Sequence, residues 1–352
     1  MKADSVVVEI LLRILLVLVI AQIPLLLVPL LVWAERRLSA WIQHRSGPNR
    51  VGPFGLFQPL ADVVKLLFKE DIIPDRASRV IYLIAPMLAV FAALIVWAVI
   101  PIGDRIVLFG YEFPLQIADV SIGILFFLAL APLEVVALSM AGWGSGSKYP
   151  LLGALRAGAQ MLSYEVVLGL AVLGVVVVAG DLRGAGIVEN QTGWLFGFLP
   201  NWNLFRQPLT ALLFVIAMVA EANRLPFDLP EAEPELVGGY HTEYSSMKFA
   251  LFFMGEYASM VALSGLFTTL FLGGWTLPWM TVGGAAPTLL ASLFGVAVFL
   301  AKVLALLFCF IWLRWTLPRL RFLDLMRLSW RNLIPISLLN LVAVALLSMV
   351  LK

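Results

Sequence analysis

Three glutamates interrupt long apolar runs: Glu134, Glu165 and Glu256. A charge at mid-bilayer costs at least about 2.5–3.5 kcal/mol on insertion scales, so such residues are functional candidates by default. Their depths agree. Glu134 lies seven residues before the end of one apolar run, and Glu165 and Glu256 lie seven residues after the start of two others. At 1.5 Å per residue, each sits roughly 10 Å below the same membrane edge. Glu221 closes a fourth run. If these helices are neighbours, the carboxylates form a buried acidic cluster able to exchange protons. The plainer alternative is that each is separately neutral and hydrogen-bonded in helix packing.

Residues 221–248 read EANRLPFDLPEAEPELVGGYHTEYSSMK. Glu221, Asp228, Glu231, Glu233, Glu235 and Glu243 face only Arg224 and Lys248 as counter-charges. Pro226, Pro230 and Pro234 forbid a long helix. The segment is either a solvated loop that docks on a basic partner or, with Tyr240, His241 and Tyr244, a proton-handling funnel. Residues 34–79 form the other informative loop. ERRLSAWIQHRSGPNRVGPFG places Glu35, Arg36, Arg37 and Arg45 beside Trp41 and Ile42, with turn signals at Gly47-Pro48 and Gly52-Pro53. GLFQPLADVVKLLF then puts Leu56, Leu60, Val63, Val64, Leu67 and Phe68 on one helical face and Asp62, Lys65 and Lys69 on the other. That pattern predicts a helix lying in the membrane interface. The loop is either a positive anchor for lipid headgroups or the entrance for a lipophilic ligand, with a cationic rim, an aromatic wall and an amphipathic floor.

These residues need a membrane scaffold. Of 352 residues, 62% are hydrophobic and 13% charged, against about 25% charged in soluble domains. Eight segments are long and apolar enough to cross a bilayer: about 10–33, 80–102, 117–141, 158–180, 204–221, 249–272, 288–315 and 333–351. The first runs into Glu35-Arg36-Arg37 rather than a small-residue cleavage site, so it reads as a helix and not a signal peptide. The loops after the odd spans carry 16 Lys and Arg, and those after the even spans carry 2. The odd loops therefore face the cytoplasm and both termini the outer side. The expected fold is an all-α polytopic membrane protein in one domain, 1–352, with eight transmembrane helices and the interfacial helix.

Several classes are excluded. Net charge is +2, which gives no reason to expect nucleic acid. The single Cys309 and two His residues supply neither a metal cluster nor paired haem sites. WGSGSK (143–148) lacks phosphate-loop spacing and reads as a flexible loop. No redox centre is expected in this chain alone. Lys302, near the centre of span 7, is a proton relay or a salt-bridge partner at a subunit interface. Asp119 lies near the outer end of span 3, and Arg13 and Arg314 are expected to snorkel from span ends.

Three strings carry a family resemblance: AERRLSAWIQHRSGPNRVGPFGLFQPLADVVKLLFKED (34–71), GWGSGSKYPLLGALRAGAQMLSYE (142–165) and EANRLPFDLPEAEPELVGGYHTEYSSMKFALFFMGEY (221–257). They cover over a quarter of the chain and closely resemble the heel-forming membrane subunit of bacterial NADH:quinone oxidoreductase, respiratory complex I, whose mitochondrial counterpart is NADH dehydrogenase subunit 1. The resemblance implies an inner-membrane subunit at the heel of an L-shaped translocase. It would form the membrane entrance and much of the wall of a quinone tunnel. Quinone is the substrate; FMN and iron–sulfur clusters belong to partner subunits. The implied partners are the peripheral quinone-reducing subunits, small and antiporter-like membrane subunits, and lipid. By the same resemblance Glu35, Arg36, Arg37, Trp41, Arg45 and Asp62 line the quinone region. Glu134, Glu165, Glu221 and Glu256 match an acidic path into the membrane arm, with Asp228, Glu231, Glu233, Glu235, Tyr240 and His241 in the adjoining loop. No residue of this chain is implied as catalytic.

Two other functions compete. Membrane-bound hydrogenases contain a similar heel component that does not reduce quinone; the intact GPNRVGPFG and PFDLPEAEPELVGGYHTEYSS strings favour the quinone enzyme. An autonomous cation/proton antiporter would show inverted repeats, and none is visible.

Overall fold

A computed structural model describes residues 2–228, 237–280 and 288–350. The first helix, α1, runs Lys2–Ile42. The charged run expected to open a loop at residue 34 instead continues this helix. Glu35, Arg36, Arg37 and Trp41 stand on its last turns. Hydropathy ends at Ala34, but Leu38, Ala40 and both arginines are good helix formers, and no Gly or Pro intervenes before Gly47. A second helix, α2, follows at Gln58–Phe68, with Pro59 tolerated in its first turn. Its Leu60, Val64, Leu67 and Phe68 are exposed.

The third helix, α3, spans Arg79–Trp97. It is followed by a hairpin of β1 (Arg105–Leu108) and β2 (Tyr111–Pro114), paired antiparallel with Leu108 opposite Tyr111. A second hairpin pairs β3 (Trp194–Leu195) with β4 (Leu199–Pro200). The fold is mostly helical, as expected, and these two small hairpins pair locally between helices.

The span expected over 117–141 is built from two consecutive helices, α4 (Gly123–Leu130) and α5 (Leu133–Gly144), which together are long and apolar enough to cross. Pro132 has no amide hydrogen to continue the ladder, so the chain breaks there. Asp119 lies in the loop before α4, which begins only at Gly123. After α5, Gly146 turns the chain with φ +65, and α6 (Lys148–Ala179) begins ten residues earlier than expected. WGSGSK is thus a tight turn between two helices and not a flexible loop. Helix α7 (Gly184–Glu189) and the short α8 (Asn203–Arg206) lead into α9 (Pro208–Glu221). The expected fifth span is therefore a four-residue and a 14-residue helix. At 1.5 Å per residue, α9 is roughly 21 Å long, short of a hydrocarbon core of about 30 Å. Beyond it lie α10 (Ser246–Phe271) and α11 (Leu289–Thr316). The last span joins α12 (Phe322–Arg327), a π-helical turn (Leu328–Leu333) and α13 (Ile334–Val350). Among the described residues seven helices are long and apolar enough to cross a membrane; the chain is a multi-pass membrane protein.

Helix α10 is the centre of the bundle. From Gly255 to Phe271 every residue is buried. Apolar surface gains little by leaving lipid, so helices in a bilayer associate through close packing and small residues. Helix α3 offers Ala85, Ala89, Ala92 and Ala93, each at most 2% exposed. Gly255 answers them from α10; a Cβ there would stand 3.2 Å from the Ala89 carbonyl carbon. This close approach sets the depth at which α10 presents its polar residues. The outward faces of α1, α11 and α13 carry exposed Leu, Val, Phe and Trp.

Candidate functional site

Three residues within one turn near the middle of α10 face three other elements. Glu256 binds Arg224, whose Nε lies 2.7 Å from its carboxylate. Tyr257 donates its hydroxyl to Glu35 of α1 at 2.5 Å. Ser259 donates to Glu134 of α5 at 2.6 Å. Arg224 also reaches Glu35 at 3.5 Å, and its guanidinium lies 4.3 Å from the centre of the Tyr257 ring. Arg314 of α11 pairs with the same Glu35 carboxylate. Arg314, expected to snorkel into the headgroups, is held instead by a buried carboxylate one helix away.

The result is a neutral group of two glutamates and two arginines linking α1, α10, α11 and the start of the loop after α9. Charges removed from water are tolerated only when paired and hydrogen-bonded. Arg suits the position because its planar fork satisfies two carboxylates and an aromatic face together.

From Glu256 the acidic residues continue inward through two small cavities. The first, about 10 Å³, is lined by Glu134, Glu256, Asn223, Tyr240 and apolar neighbours. The second, about 20 Å³, is lined by Glu134, Glu221, Ser259 and small residues of α3 and α10. Each is of the order of the space that one water needs. Glu134 belongs to both, so Glu256, Glu134 and Glu221 form a series separated by water-sized gaps. Glu134 sits in the first turn of α5, just past the Pro132 break, where helix-start amides and dipole face a carboxylate. Glu221 ends α9 and is 5% exposed; its Oε2 has no hydrogen-bond partner among the described residues. It interacts electrostatically with both Glu134 and Glu165. Glu165 itself is half-buried on α6. Glu134 and Glu256 each lie ten residues from a helix end, but Glu165 lies seventeen into α6, so it matches the expected common depth less well.

Tyr240 is brought to the first cavity by Gly153 of α6, where an added Cβ would meet the Tyr240 amide nitrogen at 2.8 Å. His241 packs among Tyr240, Phe249 and Phe253. Asp228 pairs with Arg319 at 2.6 Å. Glu231, Glu233 and Glu235 lie outside the described residues.

The first-loop candidates gather separately. Arg36 pairs with Asp62 at 2.5 Å and so joins α1 to α2. Arg37 donates to the Pro48 carbonyl at 3.0 Å and stacks between Trp41 and Phe54. Trp41 lines an apolar groove of about 230 Å³ with Leu38, Ile42, Phe308, Ile311 and Trp312. Arg45 stands apart, bonded to Gln43. The two loops are tied together at the membrane edge. Ser246 donates to the Leu66 carbonyl at 2.8 Å, Lys248 pairs with Asp71 at 2.8 Å, and Tyr82 and Tyr244 stack at 4.1 Å. Burial and the neighbouring Tyr82 push the Tyr244 phenol above its ordinary range, which keeps it a donor to the Ala141 carbonyl.

Sequence reasoning singled out the glutamates and missed their partners. Tyr257 and Ser259 are ordinary polar residues in a helix, and only their place beside Glu256, one and three positions on, hints at a shared site. Lys302 is anchored within this chain by backbone oxygens. Its ammonium donates to the carbonyls of Leu272, Gly274 and Thr276 at 2.6, 2.9 and 2.7 Å and lies over Trp202. It caps the end of α10, where a cation offsets the unsatisfied carbonyls and helix dipole.

Known proteins share this sequence over most of its length. Residues 14–345 match the family described as NADH dehydrogenase. The chain is 50% identical to a NADH-quinone oxidoreductase membrane subunit, the first of the H type, of Geobacter metallireducens over 298 residues, 85% of this chain and 84% of the relative. It is 50% identical to NADH-quinone oxidoreductase subunit 8 of Rhodothermus marinus over 310 residues, 86% and 87% of the two chains. It is 49% identical to the H-type NADH-quinone oxidoreductase subunit of Rickettsia prowazekii over 308 residues, 87% and 85% of the two chains. An identity near one half across more than four-fifths of both partners, on a bundle with carboxylates held inside it, leads to one conclusion: this chain belongs to the NADH dehydrogenase family of membrane subunits.

Proposed function

We propose that this chain is the quinone-binding membrane subunit of a proton-translocating NADH:quinone oxidoreductase. It brings no redox centre of its own; FMN and iron–sulfur clusters belong to the peripheral partner subunits. Quinone enters from the bilayer along the exposed apolar face of α2 and the aromatic wall at Trp41, under the cations Arg36, Arg37 and Arg45. Helix α2 lies in the interface, and α9 with α8 completes an eighth crossing. Both termini face the outer side of a bacterial inner membrane, as the lysine and arginine distribution requires.

Reduction of quinone takes up two electrons and two protons. A change of charge beside the chain's cytoplasmic loops is felt first by the Glu35–Arg224–Glu256–Arg314 group. The strength of Arg224's hold on Glu256 then sets whether Glu256 favours a proton or the arginine. Glu134 and Glu221, spaced by water-sized cavities, carry the response inward, and half-buried Glu165 passes it to a neighbouring membrane subunit. Asp228, Glu231, Glu233, Glu235, Tyr240 and His241 form the acidic mouth of this path.

The single observation that carries the reading is the placement of Glu134 in the walls of both cavities, facing Glu256 through one and Glu221 through the other. The test is gentle detergent purification of the chain with its partners, followed by mass spectrometry and activity. Co-purifying flavin and iron–sulfur subunits, with inhibitor-sensitive NADH:quinone activity, are expected. A nickel–iron partner would replace this reading with the hydrogenase-type one, and ion flux by the lone chain would replace it with a transporter.

A further inference from the structure

The loop after α9 leaves the helix at Glu221 and supplies both cavities and the ion group within a few residues. Glu221 lines one cavity, Asn223 lines the other, and Arg224 binds Glu35 and Glu256. This stretch is irregular: Asn223 adopts φ +50, a conformation that non-glycine residues rarely hold without support. One side chain supplies that support from outside the loop.

Gln160 lies on α6 and is fully buried. Its Nε2 donates to the carbonyls of Ala220 and Phe227, both at 2.8 Å, and to Asn223 Oδ1 at 3.3 Å. Those three acceptors bracket the functional segment. Ala220 immediately precedes Glu221, Asn223 precedes Arg224, and Phe227 precedes Asp228. Asn223 turns its own amide to Met161 Sδ at 3.4 Å, again on α6. A side chain that only filled the space between α6 and α9 would be apolar, because the buried Gln160 Oε1 has no hydrogen-bond partner among the described residues and an unpaired buried acceptor is costly.

We infer that Gln160 is a positioning residue for proton movement. By clamping the segment from Ala220 to Phe227 onto α6, it fixes where Glu221, Asn223 and Arg224 stand relative to Glu134 and Glu256. The inference rests on the proton-path reading above. The role assigned to Gln160 is to hold this segment, through the bonds it donates to Ala220, Asn223 and Phe227.

The test uses the whole membrane complex carrying Gln160→Met, which keeps length and volume but removes the amide. Transfer to a hydrophilic acceptor at the flavin end is expected to be unchanged, which reports assembly. Quinone-linked kcat is expected to fall roughly tenfold with KM for quinone held, as misplacement of proton-transfer partners costs rate and not binding. The solvent deuterium isotope effect on kcat should rise, because proton transfer becomes limiting. If Gln160→Met disrupts the complex, Gln160→Asn, which retains the amide but withdraws it by one methylene, is read the same way. Wild-type kcat and isotope effect in an assembled variant would overturn the inference, as would a proportional loss of both activities. Glu134→Gln and Glu221→Gln run alongside separate the two ideas. If they pump normally, the proton path falls and the role of Gln160 with it. If they fail while Gln160→Met is normal, only the inference about Gln160 falls.

Discussion

Arg224 and Glu256 meet at 2.7 Å with side chains each only 11% exposed, one in an irregular loop and the other at the middle of the central helix. The pair fastens the loop to the bundle at a place where neither charge is stable alone. Arg224→Leu is expected to strand Glu256 and weaken the hold on Glu35, at a cost of about 3–5 kcal/mol. The amount of chain recovered in the intact complex should fall, with a lower midpoint of heat-induced dissociation. The double variant Arg224→Leu/Glu256→Leu should regain part of that loss, since it removes both charges. Strictly additive losses would show that the pair is not coupled.

Glu134 is separable from the packing around it. Glu134→Gln keeps the shape and can still accept from Ser259, so assembly is expected to hold while quinone-linked proton pumping falls. Glu165→Gln should do the same. Ser259→Ala should cost about 1 kcal/mol of stability, the worth of one hydrogen bond, with a smaller effect on pumping. Proton uptake in reconstituted vesicles checks all three. Wild-type pumping in both glutamate variants would remove the path from this part of the molecule.

Arg37 acts on a different observable. It holds Pro48 and lies against Trp41 and Phe54. Arg37→Ala should loosen the 48–54 segment and raise KM for quinone several-fold, on the order of 1 kcal/mol. Reduction of a hydrophilic acceptor at the flavin end should stay normal. Equal loss of both activities would assign Arg37 to assembly.

Lys302→Met should leave the carbonyls of Leu272, Gly274 and Thr276 without their shared donor. The expected cost is about 1–3 kcal/mol, read as a lower midpoint of thermal dissociation with quinone kinetics unchanged. A large loss of pumping at unchanged stability would return Lys302 to the role of a proton relay.

How much of this was legible beforehand follows from what hydropathy measures. It records where apolar side chains stop, so it located the membrane segments and the glutamates within them. It does not record where helices stop. Arg36 and Arg37 are as compatible with a helix as leucine, so α1 ran past the expected edge. Pro132 interrupts the helix inside the third span, a break that uniform hydropathy does not show, while Gly123–Gly144 as a whole stays long and apolar enough to cross. The 204–221 run contains Pro208, and the helix it opens is only 14 residues long. Site partners were hidden for a related reason. Tyr257 with Glu35 is a contact across 222 positions of sequence, and Gln160 with Phe227 one across 67. Such pairs come from helix packing and leave no local pattern. Asp62 with Arg36 is the nearest exception: two opposite charges flanking one short turn segment.

Helix α10 holds Arg224, Glu35 and Glu134 through residues 256, 257 and 259, with nothing flexible between those three positions. Along its length a point substitution is a graded insult that touches one partner at a time. A gain or loss of one residue between Ser246 and Gly255 is of another kind, since it swings everything beyond it through about 100°. All three attachments would then let go together. This stretch of chain therefore has a fixed length as well as a composition, and natural variation here should consist of exchanged letters and never of altered spacing.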